Sequence, residues 1–453
     1  MKTPPTSRRA FIKTTAFALP FIASGCAQMR TGSSRANEFV RVRNGRLELN
    51  GQPHFYAGAN MWFCCYLGDA TLPGGRRRLV RELDRLQNLG VTNIRLLAGS
   101  ESSPLVAAIS RGITRAPGDY AENLLVGLDF TLAEMAKRNL RGILYLSNYW
   151  QWSGGFSQYV SWATGEPIPD PDKPPGDWTA LMRMSARFYQ TPAANEFYRN
   201  YIRKIIARKN TVNGRIYRDD PAIMTWELAN EPRPGADNKM VDRDLPIFTG
   251  WLEATAQLIH ELDPNHLVCS GTEGIRGCLD SADAFISSHK TPQLDYVTVH
   301  IWAKNWDWLK DPVLGNDFEA AAAKAKDHLE QHTKIATDIL KKPLVLEEFG
   351  LPRDHEEYSP ASPTIARDEY YRRLFDLVVE SCRAGRALQA GNFWAWGGEG
   401  RSAAKPGTTA YAFVGDPFSE PQGLNCVFDT DTSTLAIIAA TNQKLSALIK
   451  SSA

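Results

Sequence analysis

Two carboxylates stand out by position. Glu231 lies in "TWELANEPRP" (225–234) and Glu348 in "LVLEEFG" (344–350), each where a short apolar run gives way to turn residues. Comparable run ends carry Arg95 in "NIRLLAG", Trp150 and Trp152 in "SNYWQWSGG", and His300, Trp302, Trp306 and Trp308 in "VTVHIWAKNWDW". A further run end, "NFWAWGGEG", carries Trp394 and Trp396. Gathered around one cleft, these side chains suit glycoside hydrolysis. One carboxylic acid protonates the departing oxygen while a second, ionised carboxylate attacks the anomeric carbon or activates water. Aromatic faces stack on the apolar C–H faces of sugar rings, and a guanidinium keeps a nucleophile ionised. The nucleophile's charge then raises its partner's pKa, so that one group stays protonated near neutral pH.

Neighbouring residues of the same types have plainer readings. Strand alternation puts Glu227 on the face of Glu231 but four residues deeper, about 13 Å along the strand. That depth predicts a structural carboxylate paired with a buried cation, and Arg95 is the first choice of partner. Such a pairing would make the catalytic role of Arg95 indirect. Glu347 has the opposite parity to Glu348 and is expected to face the helix layer in an ion pair. For His300 the alternative is a satisfied core histidine, while Trp251 on a helical stripe reads as core and Trp396 can pack below Trp394.

The elements that must position these residues alternate. Apolar runs at 54–60, 91–97, 141–147, 223–229, 266–271, 296–301, 343–348 and 391–396 are separated by helical patterns at 72–89, 121–138, 194–209, 246–262, 318–340 and 364–385. A last helical pattern covers 433–449, and the span from 271 to 296 fits least well. Eight strands alternating with helices predict an α/β fold of the (β/α)8 TIM barrel type. No Gly-rich phosphate loop follows the first run, which disfavours a doubly wound sheet. Before the barrel, "FVRVRNGRLELNGQPHFYAGAN" alternates around Asn-Gly pairs and predicts an N-terminal hairpin. The segments 148–193 and 397–431 are too long for plain connections. After strands 3 and 8 they would stand at the C-terminal face, where such barrels bind substrates.

Of the 453 residues, 43% are hydrophobic, enough for a sizeable core either as one large barrel or as two ordinary domains. The pattern along the chain shows no second domain and no internal repeat. A net charge of +2 gives no basis for a nucleic-acid partner, and the "GRRRL" run at 75–79 reads as a solvated helix start. The N-terminal "SRRAFIKTTAFALPFIASGC" pairs Arg8 and Arg9 with an apolar stretch too short to span a bilayer. It resembles a twin-arginine export signal, and "ASGC" resembles a lipoprotein cleavage box with Cys26 as the lipidated residue. Plain cleavage is the alternative. The expected organisation is a signal at 1–25, a tether at 26–38 and one catalytic domain at 39–453. Export would deliver the protein to the periplasm, the outer membrane or the medium, with membrane attachment only through a lipid on Cys26. Cys64, Cys65, Cys269, Cys278, Cys382 and Cys426 match no zinc spacing, and Cys269 with Cys278 is the preferred disulfide pair.

"ANEP" followed by "EEFG" resembles glycoside hydrolase family 5 of clan A, whose members are retaining enzymes on (β/α)8 barrels. "FYAGANMWF", "NYWQWSGGFSQYVSW", "WELANEPRP", "VHIWAKNW", "LVLEEFGLPRD" and "NFWAWGGEGR", in this order from about 39 to 449, are similar to its endo-β-1,4-mannanases. The resemblance implies Glu231 as acid/base and Glu348 as nucleophile. It further implies Asn230 on the sugar 2-hydroxyl, Arg95 and His300 orienting the nucleophile, and Trp394 as platform under the sugar at the cleaved bond. Asn60 and Trp62 match a position lining the cleft on its non-reducing side. Where many members have a tyrosine bonded to the nucleophile, this chain has Trp302, which donates a hydrogen bond but cannot ionise. The implied activity is hydrolysis within mannan, glucomannan or galactomannan by a monomer that needs no metal or organic cofactor. Alternatives are an exo-β-mannosidase, a β-1,4-glucanase, or a non-catalytic sugar-binding lipoprotein.

Overall fold

Eight apolar runs become eight parallel strands: β1 (Tyr56–Asn60), β2 (Asn93–Leu97), β3 (Arg141–Tyr145), β4 (Ile223–Glu227), β5 (Leu267–Cys269), β6 (Val297–Ile301), β7 (Leu344–Phe349) and β8 (Leu388–Phe393). The computed structural model describes residues 38–109, 111–237, 241–401 and 413–451. The predicted signal and tether, with Arg8, Arg9 and Cys26, lie outside the described residues. Strands pair in the order β5-β4-β3-β2-β1-β8-β7-β6. Single bonds bring β5 and β6 together: the Asp295 N–H donates to the Val268 carbonyl at 2.8 Å, and Thr298 Oγ1 donates to the Thr272 carbonyl at 2.7 Å. The result is a (β/α)8 barrel. Its strands are buried on both faces, which is why they read as continuous apolar runs.

Outside lie α1 (Gly75–Asn88), α2 (Glu122–Lys137), α3 (Pro192–Ile206), α4 (Val241–Leu262), α5 (Ala282–His289), α6 (Asn316–Ile335), α7 (Ile365–Arg383) and α8 (Thr432–Ser451). In α1, Leu79, Leu83 and Leu86 recur at helical spacing and are all buried. The α5 helix fills the span where the sequence pattern fails. Its eight residues are too few for periodicity, and Ser281 Oγ caps it by accepting from the Ala284 N–H at 3.1 Å. Asn442 on α8 closes the outer layer against β1, its amide bonding both the N–H and the carbonyl of Ala57 at 3.0 Å.

The N-terminal hairpin forms as expected, with a third short strand. Arg41–Arg43, Arg46–Leu49 and Gln52–Pro53 pair antiparallel, and each turn uses an Asn-Gly pair at positive φ. Val40 and Leu47 pack on Tyr56, Met224 and Val345, covering the barrel base.

The long segment after β3 is more ordered than a loop, since it holds helices at Gly155–Thr164 and Trp178–Arg187. After β8, residues 413–425 fold around two side chains. Buried Asp416 accepts from the N–H groups of Gly423 (2.8 Å) and Asn425 (3.1 Å). Gln422 Nε2 donates to the carbonyls of Asp416, Pro417 and Glu420 at 3.1, 2.8 and 3.3 Å. Two expectations are corrected here. Arg78 in "GRRRL" is no solvated residue: it donates to Glu82 and to the carbonyls of Gly397 and Phe413, tying α1 to this loop. Cys269 and Cys278 are free thiols, as are the other four cysteines of the described residues. Cys269 faces the barrel interior beside Glu227 and Glu347, whereas Cys278 packs against Ser288.

Candidate active site

Arg95 on β2 is the hub at the C-terminal mouth. Fully buried, it donates from Nε and Nη2 to the two oxygens of Glu227 at 2.8 and 2.6 Å. Nη2 also reaches Asn230 Oδ1 at 2.7 Å, and Nη1 reaches Asn60 Oδ1 at 3.2 Å and Glu348 Oε1. Both expected contacts of Arg95 are present, because one planar fork reaches the buried carboxylate of Glu227 and the cleft carboxylate of Glu348.

Glu231 lies past the end of β4 in the left-handed region, φ +51°. Its N–H donates to the Gly271 carbonyl at 2.9 Å, and Asn230 donates to the Ser147 carbonyl at 2.9 Å, so neighbouring strand ends hold this uncommon conformation. Trp150 Nε1 donates to Glu231 Oε2 at 2.5 Å, and His300 Nδ1 lies 2.8 Å from Oε1. His300 Nδ1 is 3.5 Å from Glu348 Oε2, so it bridges the two carboxylates and lies closer to the one expected to act as acid. Trp302 Nε1 donates to Glu348 Oε2 at 3.2 Å. Carboxylate oxygens of Glu231 and Glu348 and a ring nitrogen of His300 all lie within 4.8 Å of one another.

Glu347 departs from its expected orientation. It points into the barrel, with Oε2 at 3.6 Å from both Arg95 Nε and His300 Nε2. The cause is a register shift: Val299 pairs with Leu346 but His300 with Glu348, leaving Glu347 as the extra residue of a bulge. Glu227, Cys269 and Glu347 form a second cluster below the first. In both clusters Arg95 or His300 already supplies positive charge against the carboxylates.

Burial alone raises the pKa of both cleft carboxyls. Around Glu231 it is outweighed by His300, Arg233 and Trp150, which hold that carboxyl below its usual range. At Glu348 burial prevails over His300 and Arg95, and the carboxyl stands above its usual range. This ordering is the reverse of the sequence expectation. Burial would lower His300, but the charge of Glu348, the hydrogen bond with Glu231 and the nearby Glu347 carboxylate raise it to about 10. The proton expected on Glu231 is held within the Glu231–His300 pair.

The cleft is a cavity of about 390 Å³. Trp150, Trp152, Asn230, Trp302 and Trp394 line it as expected, and Trp394 meets Trp302 edge to face with ring centres 5.9 Å apart. Two expected lining residues do not. Asn60 is buried behind Arg95, its Nδ2 donating to the Glu347 carbonyl at 2.9 Å. Trp62 is only 1% exposed, because Phe413, Gly415 and Phe418 cover it and its Nε1 donates to the Gly415 carbonyl at 2.6 Å. Trp396 turns away from the cleft to donate to Glu82 on α1 at 3.1 Å.

The sequence reading missed Arg233, Glu273 and Glu420, all of which line the cavity. Arg233 stacks on Trp150 and donates to Glu273 at 2.7 Å. Its place two residues after Glu231 is a usable signal, as is the place of Glu273 just beyond the end of β5. Glu420 lies far from any strand end, and nothing local marks it.

The model of the family described as GH family 5 beta-mannosidase-like matches residues 37–450. Mannan endo-1,4-beta-mannosidase 1 of Solanum lycopersicum is 32% identical over 359 residues, covering 76% of this chain and 80% of the relative. A glycoside hydrolase family 5 mannosidase from Rhizomucor miehei, solved with mannosyl-fructose, superposes with a TM-score of 0.83 at 34% identity. That match covers 92% of this chain and 99% of the other. The endo-beta-1,4-mannanase of Thermotoga petrophila shares the fold, with a TM-score of 0.64 at 21% identity over 87% of this chain and 78% of the other.

Proposed function

This chain belongs to the beta-mannosidase-like group of glycoside hydrolase family 5, and from that premise we propose that it hydrolyses β-1,4-mannosidic bonds of mannan, glucomannan or galactomannan with net retention. The spacing of the two carboxylates carries the proposal. Retention by double displacement needs carboxyl groups about 5–5.5 Å apart, whereas inversion leaves room for a water at about 6.5–9.5 Å. Oxygens of Glu231 and Glu348 within 4.8 Å favour the first arrangement.

In this reading Glu348 attacks the anomeric carbon. Arg95 and Trp302 donate to its two oxygens and favour its ionised form. The departing oxygen takes the proton held by Glu231 and His300, with Glu231 facing the leaving group. The bond from the anomeric carbon to the leaving oxygen breaks as the bond to Glu348 forms. Water then gives a proton to the Glu231–His300 pair while its oxygen attacks the anomeric carbon and displaces Glu348 as a carboxylate. This returns the site to its starting protonation state. Asn230, fixed by Arg95, is available to the sugar 2-hydroxyl, and Trp394 lies under the ring. The named relatives support this substrate class, and rates on mannan, galactomannan and carboxymethylcellulose measured together test it.

Proton NMR of the first product from mannohexaose tests the stereochemistry. The β-anomer is expected at the earliest times, and initial α-anomer overturns the double displacement. Glu231→Gln and Glu348→Gln are each expected to lower turnover by about 10²-fold or more. Undiminished activity in either variant would overturn the assignment of these two carboxylates, whereas sugar binding without hydrolysis by the unaltered protein would support the sugar-binding reading. Export by the twin-arginine signal, with Cys26 lipidated or the signal simply removed, belongs to the same proposal, and mass spectrometry of the mature N-terminus distinguishes the two.

A further inference from the structure

Residues 413–420 convert one side of the cleft into a wall. Trp62, expected to line the cleft on its non-reducing side, is sealed beneath Phe413, Gly415 and Phe418. The cavity is bounded instead by Pro417, Ser419 and Glu420. This wall is held firmly by Asp416 and Gln422 from inside the loop and by Arg78 from α1. Glu420 is the ionisable group it offers to the cleft. Its Oε2 is buried and has no hydrogen-bond partner among the described residues. A buried, unsatisfied carboxyl oxygen on the lining of a sugar cleft is a vacant hydrogen-bond position.

We infer that Glu420 binds the free 4-hydroxyl of a terminal mannose seated beside Glu348, so that the enzyme acts from the non-reducing end of its substrate. This rests on the β-1,4-mannosidic reading above. In a β-1,4 chain every internal sugar carries the next one through O4, and only the terminal sugar has a hydroxyl there. A wall at that point excludes the internal sugar, and a hydrogen-bonding group on the wall selects the terminal one. Burial, with Asp416, Glu348 and Glu231 nearby, raises the Glu420 carboxyl to about 8. It is therefore protonated at neutral pH and donates to O4 while its other oxygen can accept. The cutting mode so inferred differs from the internal cleavage expected from sequence.

The test combines one variant pair with one altered substrate. Wild-type enzyme should release mannose stepwise from mannohexaose labelled at its reducing end. Removing the 4-hydroxyl of 4-nitrophenyl β-mannoside should lower kcat/KM about tenfold, the worth of one hydrogen bond left unmade. Glu420→Ala should lose a similar factor on the parent glycoside and be indifferent to the 4-deoxy analogue. Glu420→Gln, which can still donate, should fall between the two. Early labelled di- and trisaccharides, wild-type indifference to the 4-hydroxyl, or additive losses would each overturn the inference. The wild-type substrate comparison decides even if Glu420→Ala fails to fold. Wild-type enzyme inactive on both mannohexaose and the aryl mannoside would instead overturn the reading of the bond cleaved.

Discussion

The carboxylates of the mouth share two cations, and the consequences are measurable residue by residue. Arg95 neutralises Glu227 and holds Glu348, so Arg95→Ala strands carboxylates inside the barrel. A loss of about 3–5 kcal/mol in urea unfolding is expected. Arg95→Lys should recover only part of it, since a point charge cannot reproduce the fork. His300 faces Glu231 from the β4 end and both Glu347 and Glu348 from β7. Its folded pKa of about 10 lies above the ordinary 6.5. The stabilisation it supplies is complete below about pH 6.5 and is lost as pH rises through about 10. Thermal melts across that window should decline, and Glu347→Gln, which removes one raising partner, should shrink the decline. The same variant should move the basic limb of kcat/KM to lower pH; an unmoved limb would place Glu347 outside the proton inventory. On the acid side, the raised Glu348 carboxyl should put the limb above the usual glutamate range.

At the scale of elements, small irregularities aim the chemistry. One extra residue in β7 turns Glu347 inward together with Glu348, and a left-handed residue after β4 places Glu231. Strand alternation, correct for Glu227, could foresee neither. Tertiary side-chain bonds to backbone have a similar weight. Asn442→Ala would leave the N–H and carbonyl of Ala57 without their α8 partner at a buried site. A loss of about 1–3 kcal/mol, read by chemical denaturation, is expected. Gln422 braces the wall through three carbonyls. Gln422→Ala should raise amide exchange in 413–425 while the strands keep their protection; unchanged exchange would mean that Asp416 and Arg78 suffice.

The whole molecule is held by packing and not by cross-links. Six described cysteines are buried thiols, so the melting temperature with and without a reducing agent should agree within about 1 °C. A large drop on reduction would show a bridge that the geometry does not contain. At this scale the sequence was most legible. Eight runs buried on both faces and amphipathic helices between them follow from local periodicity, and the barrel follows from their alternation. Of the helices α1 to α8 around the barrel, only α5 was not foreseen, because it is too short to show a period.

What the sequence determined by itself is the set of elements and the chemistry at their ends. Arg95, Glu231, His300 and Glu348 sit at strand ends, and barrel closure must bring strand ends together. Only the tertiary structure decided which neighbour each one meets. The inward turn of Glu347, the covering of Trp62 and the position of Glu420 depend on a one-residue bulge and on a loop anchored by residues far away in the chain. Periodicity reports how a residue faces its own element. It carries no information about which distant segment will fold across that face, and here that segment sets where a sugar chain can begin.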